Sequence, residues 1–572
     1  MTSEDLSHEL RRLDGRPYPA YKDLRGRYTF SRFDLSIDRV QGDPFAAPSR
    51  LSLRIAHAVS ALPPSAWSTP SRRIGSENAI AMAFAHSCRR HQSRDGSGKS
   101  GLIAIDEPEQ EILARTCVQI SESETIVRFA VGLPASGRRI LGRAADRLLV
   151  DIVSLVAQDA LDFEQPELLQ SVEAFATANE TGDHLRKQLG EQKLVAFIAD
   201  GAILPRASGV DQRPLKDAIP FRSPASMRRV LKLPNGETIA GLGIREGVTL
   251  IVGGGYHGKS TLLNAIERGV YNHRPGDGRE RVVTRADACK IRAEDGRSVA
   301  SVDLSAFISD LPGGKQTSSF STENASGSTS QAAAIIESLE SGCRALLIDE
   351  DISATNFLIR DRRMQQLISA DKEPITPLAQ RVKGLHRQHG VSTLLVLGGS
   401  SDYFEPADAV IAMENFLPFD LTNEAKALCE HTTEETTPFP LPEDKRFAQG
   451  KSIYPYRSAP AYRGRKQAGT RPPRKNIKAH ETRSLSFGTE EIDLSLLAQL
   501  VSPSQTRAIG ALLEVACDES LFEQRSLIEA LEAALETAHS NGWSSLPGND
   551  LAAVRLQELA ACLNRLRSLR IR

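Results

Sequence analysis

The sequence has few cysteines and almost no net charge, and each shortage excludes a class of protein. The 572 residues include seven cysteines, an odd number, and none of them stands in a Cys-x-x-Cys pair. This predicts a reduced protein without a cysteine metal site, which favours an intracellular and, more narrowly, a cytoplasmic location. The formal net charge of -1 gives no overall indication of nucleic acid or of an anionic membrane as a partner.

Segments that would direct the chain to a membrane are also missing. The first residues, 1–6, are acidic and lack a basic stretch followed by an apolar one, so we expect no secretory signal. No segment approaches the roughly 18 apolar residues that a membrane-spanning helix needs. We therefore expect no membrane partner, and no membrane half of a transporter in this chain.

The clearest motif is a glycine-rich stretch between an apolar run, 248–252, and a helix-like stretch, 262–266. Its glycines allow backbone N–H groups to turn towards phosphate oxygens, and the following helix directs its positive N-terminal end at the same anion. This is a phosphate-binding loop in the strand-to-helix context that it requires. The residues predicted to bind the nucleotide are Gly253, Gly254, Gly255, Tyr256, His257, Gly258, Lys259, Ser260 and Thr261.

Two residues of this loop have predicted chemical roles. Lys259 would reach the β- and γ-phosphates of ATP as a point charge, and the hydroxyl of Ser260 would ligate Mg²⁺. A glycine-rich turn that matches the pattern by accident is the alternative. The strand before the loop and the helix after it favour the phosphate-binding interpretation.

A second motif, residues 344–350, has the pattern of a buried strand that ends in two carboxylates. A parallel strand delivers such side chains to the C-terminal edge of its sheet. Asp349 is predicted to hold Mg²⁺ with Ser260, and Glu350 to orient and deprotonate the attacking water. Lys259 and Glu350 are thus the predicted catalytic residues, although the strand pattern alone also fits a solvated acidic turn.

A third segment, 324–331, is rich in serine and glycine and opens a helix-like stretch, 332–339. Small polar residues before a helix are typical of an anion-binding helix terminus. An ordinary capped loop fits the same residues equally well.

Taken together, the motifs make the chain resemble the ABC-type ATPases. Ser326 and Gly327 match the Ser-Gly pair of that family's Leu-Ser-Gly-Gly-Gln signature loop, and their spacing to Asp349 is right. Residues 353–356 fall where the family carries its Ser-Ala-Leu-Asp loop. More closely, the chain is similar to the predicted ABC-class ATPases that are soluble rather than transporter-linked. The strings that carry this likeness are 41–46, 96–101, 256–259, 276–280, 293–297 and 321–329.

Alternating apolar strands and helix-like stretches predict an α/β fold, which by the resemblance is a P-loop, ABC-type nucleotide-binding core. Mixed helix and strand patterns predict an N-terminal α+β domain, and the change of composition after residue 430 predicts a C-terminal basic and helical region. We expect their boundaries at 1–190, 191–430 and 431–572, and ATP and Mg²⁺ as cofactors. In this family the loop that caps ATP comes from a second cassette, so the resemblance also implies a homodimer. In that dimer the signature residues of one copy face the γ-phosphate held by Lys259 of the other; they are Ser326, Gly327 and Ser328.

The sequence departs from the family pattern in three places. After the apolar run 393–397, where these ATPases usually carry a switch histidine, the chain continues Gly-Gly-Ser-Ser-Asp up to Asp402. The glutamine that normally senses Mg²⁺ is not evident around 307–312, and no aromatic residue stands in 222–255 to stack on adenine. The residue that replaces the histidine and the adenine-binding residues are therefore unassigned.

The string 96–101 imitates a phosphate loop, but two features argue against it as the principal ATP site. Ser93 stands where the first glycine is required, and no helix-like stretch separates the string from the next apolar run. A phosphate loop needs the helix for its dipole. A lesser role, in contact with an anion or a partner subunit, stays open.

From about residue 445 to residue 483, cations are interleaved with tyrosines in a stretch rich in Pro and Gly. This composition suits single-stranded nucleic acid, and RNA is favoured slightly over DNA because stacking on an unpaired strand requires no duplex groove. A solvated basic linker, or an arm paired with an acidic neighbour, is the alternative. The residues predicted to contact nucleic acid are Arg463, Arg465, Lys466, Arg471, Arg474, Lys475 and Lys478.

These observations predict an ABC-class ATPase that binds and hydrolyses ATP at a homodimer interface and couples its nucleotide state to nucleic acid. The alternative is an ATP-gated scaffold or clamp that acts on a protein partner with little hydrolysis, which the missing switch histidine favours. A kinase or small-metabolite enzyme is a third possibility, although no acceptor pocket can be named. For the helices expected after 528, packing within the chain and dimerisation stay equally open.

Overall fold

The chain forms two compact units. The computed structural model describes residues 1–93, 96–309, 311, 316–360, 373–429, 438–449, 453, 455 and 475–572. The first unit comprises Met1–Glu180 and Asn549–Ala552, and the second comprises Thr181–Gly548 and Ala553–Arg572. The division into 1–190, 191–430 and 431–572 stays a prediction.

The first unit contains an antiparallel sheet and several helices. Its strands are β1 (Gly26–Thr29), β2 (Asp34–Arg39), β3 (Ser49–Ala56), β4 (Ile103–Ala104), β5 (Glu111–Ile112), β6 (Val118–Ile120), β7 (Glu124–Val131), β8 (Ala135–Ser136) and β9 (Arg139–Ile140). Its helices are α1 (Ser3–Arg12), α2 (His57–Ser60), α3 (Pro70–His91), α4 (Gly142–Asp146) and α5 (Val153–Leu161), and α6 (Pro166–Glu191) begins in it. The strand order is β1-β2-β3-β7-β4, and β6 also pairs with β7.

The string 96–101 lies in this first unit and forms turns rather than the start of a helix. The Lys99 amide donates to the Pro44 carbonyl oxygen at 2.9 Å, and the Ser97 amide donates to the Ala135 carbonyl oxygen at 2.7 Å. A Cβ atom on Gly98 would lie 2.5 Å from the Pro44 carbonyl oxygen. These amides are therefore engaged by neighbouring backbone, whereas in a phosphate loop such amides face the ligand.

Among the described residues, the second unit holds three sheets, the two-stranded pairing of β17 with β18, and most of the helices. Its strands are β10 (Leu194–Ala199), β11 (Arg228–Lys232), β12 (Thr238–Arg245), β13 (Val248–Val252), β14 (Asn272–His273), β15 (Val282–Thr284), β16 (Ala288–Ile291), β17 (Val299–Val302), β18 (Phe320–Thr322), β19 (Ala345–Asp349), β20 (Ser392–Val396), β21 (Ala409–Glu414), β22 (Leu417–Asp420), β23 (Ile477–His480), β24 (Ser484–Phe487) and β25 (Glu490–Asp493). Its helices are α7 (Lys259–Arg268), α8 (Gly327–Glu340), α9 (Thr355–Leu358), α10 (Val382–His389), α11 (Thr422–Ala427), α12 (Pro503–Asp518), α13 (Leu521–Gln524), α14 (Leu527–Asn541) and α15 (Leu556–Leu563).

The central sheet of this unit has the order β16-β19-β20-β13-β21-β22. All its pairs are parallel except β21 with β22, which run antiparallel. Every residue of β19 and β20 is buried, because helices of the crossover connections cover both faces of a parallel sheet. This explains why both strands appear in the sequence as unbroken apolar runs. A second, antiparallel sheet has the order β11-β12-β10-β15.

The C-terminal part of the chain is helical, as predicted, but it also contains a small sheet that the sequence analysis missed. Strands β23, β24 and β25 form an antiparallel meander of four-residue strands. Helix α12 begins at a capping box between Ser502 and Gln505, and α14 begins at another between Ser526 and Glu529. The cysteines are free thiols, and the described helices include none with the length and apolarity to cross a membrane.

Candidate functional site

The phosphate loop and the two predicted carboxylates, Asp349 and Glu350, lie at one edge of the central sheet. Strands β13, β19 and β20 are parallel, so their carboxyl ends meet at the same edge, where Gly253, Glu350 and Leu397 follow. Strand β20 lies between the other two, which places the backbones of β13 and β19 roughly 10 Å apart. The edge of an open parallel sheet outside the carboxyl ends of its strands is the usual place for a ligand.

Two glycines of the phosphate loop occupy positions that no other residue type fits. Gly253 has φ 132°, and a Cβ atom there would lie 2.5 Å from the carbonyl oxygen of Met413. Gly258 has φ 97°, and its Cβ would lie 2.7 Å from the ring of Phe416. The loop therefore runs in close contact with the hairpin between β21 and β22, which only glycine permits.

A histidine fixes the loop to the same hairpin. The Asn415 amide donates to Nδ1 of His257 at 3.0 Å, and the Phe416 amide donates to the His257 carbonyl oxygen at 3.0 Å. Asn415 and Phe416 have φ of 49° and 65°, as the central residues of a type I′ turn do. Sequence reasoning missed this hairpin, because the second turn position usually holds glycine and here holds Phe416.

Lys259 begins helix α7 and lies over the loop. Its Nζ donates to the carbonyl oxygens of Gly253 and Gly254, at 2.7 and 2.9 Å. Tyr256 projects from the tip of the loop, fully exposed and with φ 64°. Ser260 and Thr261 follow in the first turn of α7 and are half-buried. The ammonium group, the glycine cradle and the helix N-terminus together fit a phosphate group.

The two carboxylates at the end of β19 are held differently. Asp349 is 7% exposed, and its Oδ1 accepts a hydrogen bond from the Asp351 amide at 3.3 Å. Glu350 is half-buried, and its Oε2 accepts a hydrogen bond from the Gly398 amide at the end of β20. The sequence left the residue after β20 unassigned, and in the structure a backbone amide meets Glu350 there. The Asp402 amide donates to Ser400 Oγ at 3.2 Å.

Tyr403 is a fully buried residue near Glu350. Its hydroxyl donates to the Leu358 carbonyl oxygen at 2.8 Å. Burial raises the pKa of this hydroxyl well above its ordinary value, and the negative charges of Asp402 and Glu350 add to the effect. Tyr403 therefore stays a neutral donor and cannot serve as a base at ordinary pH.

A metal ion fits the donors at this edge only as part of a nucleotide complex. The described residues contain no group of three or more side chains that could hold a metal by themselves. Magnesium is commonly bound by one or two protein oxygens together with phosphates and water. The hydroxyl of Ser260 and the carboxylate of Asp349 supply oxygens of that kind.

The signature-like residues form the N-terminus of α8, a helix of 14 residues. Ser326 caps it: its Oγ accepts from the Thr329 amide at 3.4 Å and lies 2.9 Å from Thr329 Oγ1. Gly327 packs closely, since a Cβ there would lie 3.3 Å from Asp295 Oδ1. Ser328 is buried, with Oγ 3.3 Å from Ser326 Oγ. The segment is thus a helix N-terminus capped by a serine, and its binding of an anion stays a prediction.

A buried glutamine connects this helix to the end of β19. Gln331 Nε2 donates to Ser353 Oγ at 2.9 Å, and its Oε1 accepts from the Ala354 amide at 2.9 Å. Ser353 Oγ in turn donates to the Asp349 carbonyl oxygen at 2.8 Å. Sequence reasoning missed Gln331, although a polar residue directly before the three alanines 332–334 indicates a specific contact on the buried side of the helix.

Within one copy the two halves of the predicted site are separate. Across the described part of the chain, no hydrogen bond or ion pair joins residues 326–328 to residues 253–261. The described bonds of the phosphate loop go to the loop itself and to the turn between β21 and β22. Those of the signature-like loop go to its own helix and to residues 293–297.

Most of the residues predicted to contact nucleic acid lie outside the described residues, namely Arg463, Arg465, Lys466, Arg471 and Arg474. Two can be placed. Lys475 Nζ donates to Glu514 Oε1 at 2.8 Å and also contacts Asp518. Lys478 lies on β23 with an exposed side chain. One cation of the basic stretch is thus paired with acidic neighbours, and another faces solvent.

Three protein families match the chain in succession. Residues 3–163 match the N-terminal domain of ATPases of the ABC class, residues 168–444 match the P-loop domain of the ABC ATPase family, and residues 476–572 match the MRB1590 C-terminal domain. The second match contains the phosphate loop, the signature-like loop and both carboxylates.

Individual relatives are more distant. The uncharacterized protein MJ1628 of Methanocaldococcus jannaschii is 31% identical over 228 residues, which make up 38% of this chain and 50% of that protein. The chain thus matches only about half the length of this relative.

Solved structures include the ADP conformation of MJ1267, an ATP-binding cassette of an ABC transporter, and cbiO1 from Clostridium perfringens, part of the transporter complex cbiONQ. They are 13% and 14% identical, cover 35% and 41% of this chain and 91% and 92% of their own, and have TM-scores of 0.23 and 0.24. Structural similarity this low does not identify the family of the chain, which is identified by the family matches alone. On those matches, the chain belongs to the ATPases of the ABC class, and its P-loop domain is a nucleotide-binding domain.

Proposed function

We propose that the protein binds ATP and Mg²⁺ at the phosphate loop, hydrolyses the ATP between two copies of the chain, and couples its nucleotide state to single-stranded nucleic acid, RNA before DNA. The observation that carries the proposal is the bond between the Gly398 amide and Glu350, beside the loop of Lys259. It aims a carboxylate at the sheet edge where the phosphates are expected.

The phosphate loop would bind the nucleotide through charge and oriented amides. Lys259 already bonds two loop carbonyls, so its ammonium group is held over the cradle. The amides between Gly253 and Gly258 and the N-terminus of α7 complement a polyanion. Bound Mg²⁺ supplies positive charge that offsets the charge developing on the phosphates. Ser260 and Asp349 are the residues that would hold it.

Glu350 would act as the general base. A half-buried carboxylate that accepts an N–H bond at one oxygen keeps its second oxygen for a water molecule. The Gly398 amide would fix the orientation of the Glu350 side chain. It would thus take the place of the switch histidine that ABC-type ATPases usually carry after this strand. An amide cannot exchange protons with the water, so all of the proton transfer falls to Glu350.

The second copy would complete the site. Ser326, Gly327 and Ser328 present a helix N-terminus and hydroxyl groups, which suit the γ-phosphate. In one copy they make no bond with the phosphate loop among the described residues, which supports their use in trans. ATP would then stabilise the closed dimer, because it contacts both copies only in that state.

The nucleic-acid part of the proposal rests on the basic, tyrosine-containing stretch and on the exposed Lys478. Cations and aromatic rings bind unpaired strands by charge and stacking. Lys475 has a different task, since its carboxylate partners on α12 anchor the stretch at its end.

The test measures ATP turnover by the full chain with and without single-stranded RNA, for the native protein, Glu350→Gln and Lys259→Ala. We expect RNA to stimulate turnover, Glu350→Gln to abolish turnover while ATP binding persists, and Lys259→Ala to weaken ATP binding. Glu405→Gln, a carboxylate on the loop after β20, is the control for a general effect of charge removal.

An ATP-gated scaffold is the second candidate, and the histidine-free end of β20 favours it. In that case native turnover is negligible, RNA has no effect, and Glu350→Gln closes no more readily than the native protein. Unchanged ATP affinity in Lys259→Ala would contradict both candidates.

A further inference from the structure

The signature-like loop rests on a neighbouring loop, residues 293–297, to which the proposed function gives no role. The Gly296 amide donates to the Ala325 carbonyl oxygen at 2.9 Å, and the Ala325 amide donates to the Arg297 carbonyl oxygen at 2.9 Å. The Glu294 amide donates to Ser330 Oγ at 2.9 Å. The position of Ser326 is therefore set by the position of this second loop.

Two arginines of the C-terminal region, Arg565 and Arg567, bind residues 293–297 and the start of the signature-like loop. Arg565 pairs with Glu294 through Nε and Oε2 at 3.2 Å and through a second contact between Nη2 and Oε1. The two side chains are only 8% and 9% exposed. Arg567 Nη1 donates to the Glu323 carbonyl oxygen at 2.7 Å, and its Nη2 donates to the Gly296 carbonyl oxygen at 3.1 Å. One guanidinium group thus bridges the two loops.

The body of α8 is fixed by other contacts. Near its C-terminal end, Arg446 bonds Glu340 with Nε at 3.0 Å from both carboxylate oxygens. Arg297 pairs with Glu337 in the interior, and Gln557 Nε2 donates to the Ser341 carbonyl oxygen at 2.9 Å. Loss of the Arg567 contacts would therefore loosen the N-terminal loop and leave the helix in place.

We propose that Arg567, with Arg565 as its buried anchor, is a positioning residue that holds Ser326 and Gly327 in the place where they meet the nucleotide bound by a second copy. This rests on the proposed function, because it requires the signature-like loop to act in trans. Arg567 touches no nucleotide itself. It acts through the Glu323 and Gly296 carbonyl groups on either side of the loop.

A guanidinium group suits this task better than an ammonium group. Its planar fork donates two parallel bonds in fixed directions, whereas an ammonium group is a point charge on a flexible stem. Arg567→Lys therefore keeps the charge and loses the bridge between the two carbonyl groups. This separates a positioning role from a general electrostatic one.

The test uses the full chain with Glu350→Gln, so that ATP is bound and not consumed, and measures ATP-dependent dimer formation by sedimentation velocity. Because Arg567 supplies two charge-assisted bonds to the loop, we expect Arg567→Ala to raise the dimer dissociation constant about tenfold or more. ATP affinity of the monomer should stay within about twofold of its original value. With Glu350 restored, kcat should fall and KM for ATP should change little.

Arg525→Ala is the matched control. Arg525 is an exposed arginine in the same C-terminal region, and its side chain makes no hydrogen bond or ion pair with the part of the chain that the structure describes. We expect this variant to dimerise like the protein that carries Glu350→Gln alone. Arg567→Lys should weaken dimer formation as much as Arg567→Ala does. Because it keeps the charge, its melting temperature should not change, so it serves as the test variant if Arg567→Ala is unstable.

Each other outcome has a definite meaning. If Glu350→Gln alone stays monomeric in ATP, the proposed function fails and the positioning role fails with it. If Glu350→Gln dimerises and the addition of Arg567→Ala or Arg567→Lys leaves the dissociation constant unchanged, the positioning role alone is overturned. If Arg567→Lys has the same dimer dissociation constant as the protein with Glu350→Gln alone while Arg567→Ala does not, the role of Arg567 is a simple effect of its charge and not positioning.

Discussion

The phosphate loop and the signature-like loop both end at a helix N-terminus, but they are supported by different parts of the chain. The phosphate loop is held by the hairpin between β21 and β22, through His257 and two glycines. The signature-like loop is held by residues 293–297 and, beyond them, by Arg565 and Arg567. One support belongs to the matched P-loop domain, and the other comes from the matched MRB1590 C-terminal domain.

This difference separates two tasks. The phosphate loop makes the bonds described above within the matched P-loop domain, although the far end of α7 also meets the C-terminal region, where Gln499 Nε2 donates to the Glu267 carbonyl oxygen at 3.1 Å. The part that would cap the nucleotide in a second copy depends on the C-terminal region. Changes in that region should therefore alter dimer formation and leave nucleotide affinity almost unchanged.

The largest expected effect is that of Gly253→Ala. Its Cβ would lie 2.5 Å from the Met413 carbonyl oxygen, at a φ of 132° that side chains rarely adopt, so the loop must leave the hairpin. We expect ATP binding to be lost in titration calorimetry. Gly255→Ala is the control, because a Cβ there meets nothing within 4 Å. Equal affinities of the two variants would show that the hairpin contact is not needed.

Ser326→Asp tests the other loop. Aspartate caps a helix as well as serine does, so the melting temperature should not fall. Its negative charge would face the phosphates in the second copy, and we expect ATP-dependent dimer formation to weaken by about tenfold or more. Ser326→Ala, which loses about 1 kcal/mol of capping, should show the reverse pattern: a lower melting temperature and a milder effect on the dimer.

Gln331→Leu interrupts the connection between α8 and β19. It leaves the Ala354 amide without its acceptor, at a cost of about 1–3 kcal/mol if that amide stays unsatisfied. Ser353 Oγ loses the bond from Gln331 and keeps its own bond to the Asp349 carbonyl oxygen. We expect a several-fold lower kcat and an unchanged ATP affinity in steady-state and binding measurements. Ser353→Ala removes only the bridging hydroxyl and should reproduce the kinetic effect with less loss of stability. A change confined to the melting temperature would make Gln331 purely structural.

The smallest effect is expected at Tyr256. Its φ of 64° is a strained conformation for any residue with a Cβ atom. Tyr256→Gly should therefore be more stable than Tyr256→Ala, by about 0.5–1 kcal/mol after the greater entropy of unfolded glycine is subtracted. Urea denaturation of both variants measures the difference. The opposite order would mean that the loop changes its conformation when the ring is removed.

The sequence predicted the parts of the site whose chemistry is local. The glycine cradle, Lys259 and the carboxylates at the end of β19 are recognisable because each requires particular residue types beside a strand or helix. The supports could not be predicted in this way. The bond from Gly398 to Glu350 is made by a backbone amide, and the bonds of Arg567 join residues about 244 and 271 positions away. The strands β23 to β25 were missed because four residues are too few to show a period of two.

The bonds from Gln331 through Ser353 to Asp349 have a consequence for how two sites would work together. In a dimer of the proposed kind, Gln331 lies just behind the loop that caps one ATP, while Asp349 serves the other. A displacement at either end would be passed on by this short chain of bonds, so the two occupancies would have a coupling free energy. Thermodynamic linkage makes that coupling reciprocal. The two ATP molecules should consequently bind with cooperativity, visible as a Hill coefficient that differs from unity.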